Sequence, residues 1–181
     1  MDLTNLNVQR QLKPKIEEVL PFYLDAEELE TALKFIEHMR NNKMNPRFAG
    51  VHSTWNCSFK GKVICYIRLG RKWIGKAKVD KVKWEVSPNL KHLSDYESQI
   101  TDLSLKNAIW DSFSYCGTCN NGCSPGKNRT FLGKDFTGLC NGMLYSGRLP
   151  IGFVNPDEVA FTQIKALLEF EANARKMTVD S

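Results

Sequence analysis

Apolar residues recur at helical spacing in three stretches of the chain and cluster as β-branched and aromatic runs in four others. Leu29, Leu33, Ile36 and Met39 lie three or four apart, which is one face of a 3.6-residue period. Asp25 with Glu28 three residues on makes a capping box, so the pattern predicts a helix from Asp25 to about Arg40. Asn41, Asn42 and Pro46 stop it. The runs STWNCSF, KVICYIRL, RKWIGKAKV and VKWEV follow, with turn signals at Lys60-Gly61 and Gly70-Arg71 and a stop at Ser87-Pro88. They predict an antiparallel meander of three to four strands, with no clear assignment of which residues face the core.

Two further helices are expected. Ser94 and Glu97 form a second capping box, and Ile100, Leu103, Ala108, Ile109 and Trp110 give that helix an apolar face. At the end of the chain Asn155 reads as a cap, Pro156 as the first helical position and Glu158 as the box partner. Ile164, Leu167, Leu168 and Ala172 supply the buried stripe, and Arg175 and Lys176 suit the negative end of the helix dipole. Residues 1–22 read as a polar lead-in with a short helical stretch ended by Pro21, and 116–150 as a long Cys-rich loop followed by a short strand near FVN. The expected fold class is α+β: the meander packed against helices in one domain spanning 1–181.

Composition adds that the chain can hold a core. Of its 181 residues 42% are hydrophobic and 25% charged, a globular balance. No apolar run reaches the roughly 20 residues that span a bilayer. The opening MDLTNLNVQRQLKPK lacks an apolar h-region. Together these predict a cytoplasmic protein with no membrane partner, whose six cysteines are free or metal-bound rather than paired. The net charge of +5 is uneven: between Lys60 and Lys83 stand nine Lys or Arg residues and one acid, Asp80. Such a ribbon attracts phosphate. Lysine is also the ordinary occupant of outward strand positions, so nucleic acid is the third reading and not the first.

Cys116, Cys119 and Cys123 in YCGTCNNGC, with Cys140 beyond, form the one constellation whose spacing suggests chemistry. A C-x2-C-x3-C run and a fourth thiolate from a nearby turn suit a tetrahedral zinc, and four protein ligands leave no open position, so that zinc would be structural. A long loop without regular structure needs something to hold it. Reduced thiols with no metal are the equal alternative. An iron–sulfur cluster fits less well, because the C-x2-C-x2-C-x3-C run and its proline are absent. Cys116 and Cys119 also form a C-x-x-C pair, but one that follows a helix where thioredoxin-like pairs open one.

Other residues carry weaker signals. Trp55, Tyr66, Trp73, Trp84 and Trp110 fall on the predicted sheet and the helix behind it, as core or as the wall of a cleft under the Cys loop. Glu85 beside Trp84 is read as an exposed strand residue rather than a carboxylate in an aromatic pocket. His38 lies near a helix end where a cation helps, and His52 and His92 are isolated.

The stretches NPRFAGVHSTWNCSFKGKVICYIRL, CGTCNNGCSPGKNRTFLGKDFTGLC and FVNPDEVAFTQIKALLE resemble a group of uncharacterised bacterial proteins. These share a W-x-[CV]-x-[YF]-K-G-K strand pair, a Cys-rich loop and a terminal helix after asparagine-proline. The resemblance runs from Asn45 onward and implies a bacterial source but no particular activity. The hairpin is also similar to small α+β domains of ligand-binding type. The expected function is therefore non-catalytic binding of a small ligand or partner, with the cysteines as a clip. A redox or metal-dependent enzyme using Cys116 and Cys119 is the alternative.

Overall fold

The computed structural model describes residues 2–51, 53–70, 82–115, 126–140, 144 and 149–177, and the backbone alone of 73–74 and 77–78. Its helices are α1 (Leu6–Leu12), α2 (Ile16–Val19), α3 (Ala26–Asn41), α4 (Leu93–Tyr96), α5 (Leu103–Asp111) and α6 (Glu158–Met177). The strands are β1 (Asn45–Phe48), β2 (Thr54–Phe59), β3 (Lys62–Leu69), β4 (Trp73–Ile74), β5 (Ala77–Lys78), β6 (Trp84–Pro88), β7 (Lys127–Phe131), β8 (Lys134–Leu139) and β9 (Phe153–Val154). Strands β1, β2, β3, β6 and β9 form one antiparallel sheet in that order, and β7 with β8 forms a second. The fold is α+β, as the periodicity predicts.

The sheet buries one face. Register places Phe48 beside Trp55, Trp55 beside Ile67, Ile67 beside Val86 and Val86 beside Phe153, so these side chains share a side. Helices α3 and α6 cover it. Phe161 of α6 stacks on Phe35 of α3 with centroids 4.6 Å apart and meets Trp84 at 5.0 Å, joining both helices to the sheet. The predicted box at Asp25 forms: the Asp25 carboxylate accepts from the Glu28 amide, and Glu28 accepts from the Asp25 amide. The buried stripe of α3 is Ala32, Phe35, Ile36 and Met39, while Leu33 stays 38% exposed.

Five expectations change. Pro46 ends no helix but sits in edge strand β1, where a missing N–H is tolerated. The described residues of RKWIGKAKV form the small β4–β5 pair, a sheet separate from the main one. The 94–110 helix breaks into α4, a 3₁₀ turn and α5, because Asp102 caps a new start by accepting from the Ser104 amide. The cap of α6 is Asp157, which accepts from Ala160, while the Asn155 side chain accepts the Lys83 and Trp84 amides instead. The polar lead-in belongs to the core: Gln9, Ile16, Val19 and Leu20 are fully buried, and the Pro14 carbonyl accepts from the Trp55 indole at 3.2 Å.

The described part of 116–150 is not all loop. It contains the β7–β8 hairpin, and single bridges join Phe113 to Ile151 and Tyr115 to Leu139. The hairpin is a separate sheet, linked through residues 113–115 to the chain just before β9. A buried ion pair ties α6 to the opposite end. Arg175 donates to Glu171 at 2.8 Å and to the carbonyls of Val63 and Asn89, while the Glu171 carboxylate also accepts from the His92 amide and the Tyr96 hydroxyl. Burial, then the Glu171 charge, pushes the Tyr96 phenol far up, so it stays a neutral donor. No helix among the described residues is long and apolar enough to cross a membrane.

Candidate functional site

Residues between the core positions of the strands must point the other way, because side chains alternate along a strand. In β2 these are Thr54 and Asn56, in β3 Tyr66 and Arg68, and in β6 Glu85 and Ser87. Pairing arranges them in two rows across three strands: Thr54–Arg68–Glu85 and Asn56–Tyr66–Ser87. All six are polar or carry a polar group. Thr54, Glu85 and Ser87 are nevertheless buried, and the other three half-buried.

Arg68, Glu85 and Ser87 form a hydrogen-bonded cluster. The Arg68 Nη1 donates to Glu85 Oε1 at 3.1 Å and to Ser87 Oγ at 2.8 Å, and Ser87 Oγ donates to the same carboxylate oxygen at 2.7 Å. The Arg68 guanidinium lies 5.3 Å from the centre of the Tyr66 ring, within cation–π range. Gly152 makes room for the carboxylate, since a Cβ there would come within 2.6 Å of Glu85 Oε1 and 3.4 Å of Ser87 Oγ. Glu85 is therefore neither an exposed strand residue nor a carboxylate among aromatics; its partner is a cation across the strand.

In this cluster the guanidinium and the hydroxyl present donors and the carboxylate an acceptor, at fixed spacing. Neither His38 nor His92 belongs to it: His38 lies in the last turn of α3 and His92 contacts Asp95 at 3.2 Å. His38 is no resident cation either. Burial, then Lys165, holds its imidazole below the ordinary value.

Of the predicted metal ligands, Cys116, Cys119 and Cys123 lie outside the described residues. Cys140 is half-buried at the end of β8. Its amide donates to the Ser114 carbonyl at 3.1 Å, and Leu139 bridges Tyr115. The backbone at Cys140 thus runs beside the backbone that leads into Cys116. Among the described residues no three His, Cys, Asp or Glu side chains gather for a metal. Cys57 and Cys65 stand directly opposite each other, free and fully buried in the core. Burial, then the hydrogen bond with Cys65, pushes the Cys57 thiol well up, so it is a packing group and not a nucleophile.

The aromatics divide between core and site. Trp55 and Trp84 are core, 0% and 1% exposed, and the half-buried Trp110 donates to the Phe131 carbonyl at 3.1 Å. Tyr66 is, among the described aromatic side chains of the five, the one placed on the polar face; His52 and the side chain of Trp73 lie outside the described residues. In the basic ribbon, Lys83 is paired with Asp25 and Glu28, and Arg68 with Glu85. Arg68 and Ser87 went unnoticed in the sequence. The signal was there in W-E-V-S-P and Y-I-R-L, where polar positions alternate with apolar ones. No family model, no curated protein and no solved structure matches this chain.

Proposed function

We propose that this is a non-catalytic binding protein whose ligand, a small polar molecule, is held on the polar face of the sheet by Arg68, Glu85, Ser87 and Tyr66. The observation that carries the reading is the cluster of half-buried Arg68 with buried Glu85 and Ser87 on the face opposite the aromatic core. Ordering charges there costs desolvation and contributes little to stability, so a recognition role is the better account of them. The ligand class that fits is a small zwitterion or polar acid, able to accept from Arg68 and donate to Glu85. The test is thermal unfolding against a panel of free amino acids and small carboxylates. A ligand at about 100 times its Kd stabilises by about 2.7 kcal/mol, which raises Tm by roughly 5–10 °C in a chain of this size. No shift across the panel, or an equal shift in Arg68→Met, refutes the assignment.

The Cys loop is part of the same proposal, as a structural clip at the sheet edge closed by zinc on Cys116, Cys119, Cys123 and Cys140. The pairing of Cys140 with Ser114 supports it, because adjacent strands run about 4.8 Å apart. A bacterial cytoplasm, where thiols stay reduced, suits such a site. Elemental analysis of anaerobically purified protein is expected to give about one zinc per chain. A metal-free protein with all its thiols reactive removes the clip, and iron with visible absorbance revives the redox alternative.

A further inference from the structure

A groove lies on the helix side of the sheet, away from the polar face. It encloses about 730 Å³ where the end of α3, the β2–β3 turn and the last turns of α6 meet. Met44, Phe59 and Ala172, all buried, form its apolar lining, and Lys43, Lys60 and Lys176, all exposed, stand around it. The volume falls in the range of ordinary small-molecule sites. An apolar lining with cations around it is a definite chemical preference.

The charge balance is one-sided. Three ammonium groups line the groove against one carboxylate, Glu169. No carboxylate among the described residues pairs with Lys43, Lys60 or Lys176. Lys176 donates to Asn173 at 3.1 Å and stands 5.8 Å from the centre of the Phe59 ring, so one cation already sits against the lining. The last carbonyls of α3 do not consume the others, because His38, Met39 and Arg40 accept from the amides of Asn42, Met44 and Lys43. Lys43 and Lys60 also have left-handed backbones, φ 60° and 47°, a conformation that glycine or asparagine adopts more readily.

We infer that this groove binds an organic anion, one that lays an apolar ring or chain on Phe59 and Met44 and sets a phosphate or carboxylate among Lys43, Lys60 and Lys176. The site shares no residue with the polar sheet face, so the two assignments stand or fall separately.

The experiment is an amide NMR titration of the full chain with 2-naphthyl phosphate, compared with inorganic phosphate and with 2-naphthol. Naphthyl phosphate is expected to shift the signals of Met44, Phe59 and Asn173 saturably. Lys60→Gln and Lys176→Gln should each weaken it about fivefold, as one exposed ion pair implies. Both changes together should weaken it about 25-fold if the two act independently. These lysines are exposed, so unchanged dispersion of the spectrum confirms that each variant is folded. Equal binding of inorganic phosphate would show that the apolar lining is unused, and equal binding of naphthol that the lysines are unused; either overturns the inference. Shifts confined to Arg68 and Ser87, or no shifts at all, overturn it too.

Discussion

Glu171 is fully buried and holds three donors: Arg175 Nε at 2.8 Å, the His92 amide at 3.1 Å and the Tyr96 hydroxyl at 3.0 Å. Glu171→Ala removes the carboxylate that accepts all three bonds and takes away the charge beside the Arg175 guanidinium, which is 4% exposed. Arg175 keeps its bonds to the carbonyls of Val63 and Asn89, so it cannot swing out to water without breaking those as well. Breaking such a pair from one side costs about 3–5 kcal/mol, a large part of the roughly 5–15 kcal/mol that holds a domain folded. With a urea m-value of about 2–3 kcal/mol/M, the midpoint should fall by about 1.5 M. Glu171→Gln keeps the shape and one acceptor, and should lose about half as much. Glu171→Leu combined with Arg175→Met removes both charges, and should be less destabilised than the sum of its parts by about 2 kcal/mol. The measurement is equilibrium urea unfolding followed by tryptophan fluorescence. A midpoint shift under about 0.4 M for Glu171→Ala, or strict additivity in the double variant, would falsify the account of a dry, coupled pair.

Gly152→Ala should push the Glu85 carboxylate off its place, since Arg68 and Ser87 leave it nowhere to turn; a loss of about 1–3 kcal/mol in urea unfolding is expected, and wild-type stability would sink the idea. Gly126→Ala should be at least as damaging, because its Cβ would come within 2.3 Å of the Gly138 backbone; the β7–β8 amides should then lose protection from hydrogen exchange, and unchanged protection counts against the close approach. The folded His38 value lies below the ordinary 6.5, so the unfolded chain takes up the proton first as pH falls. The stability it contributes is complete above pH 6.5 and is lost as pH drops through the folded value. His38→Gln should therefore show a smaller decline in Tm than wild type from about pH 7 to about pH 5, and parallel curves would contradict the shift.

Local chemistry was legible where one principle acted alone. Asp25 and Glu28 form their box because the Lys83 ammonium that also engages both carboxylates leaves the capped amides to them. At Ser94 the same pattern fails, since Asp102 offers a better start and Tyr96 is drawn to Glu171, a partner 75 residues away. Asn155 fails as a cap for the same kind of reason: the amides of Lys83 and Trp84 claim its side chain. The α+β class and the strands around Trp55, Ile67 and Val86 follow from composition and turns. The site does not, because it depends on register. Only pairing places Arg68 opposite Glu85, and a slip of one residue would have sent each to the other face.

Strand β9 joins the sheet through just two residue pairs, Glu85 with Val154 and Val86 with Phe153. The chain must first travel through residues 89–152, which separate it from β6. Closing a loop of that length costs on the order of 4 kcal/mol in entropy before any contact repays it. The hairpin of β2 and β3 needs no such journey. On sequence separation alone, α3 and the first strands are expected to condense before the β9 edge, Gly152 and the β7–β8 hairpin dock. Held by two pairs, the same edge is expected to open first in the folded protein. The polar cluster around Glu85 thus sits on the seam between the early half of the molecule and the late one.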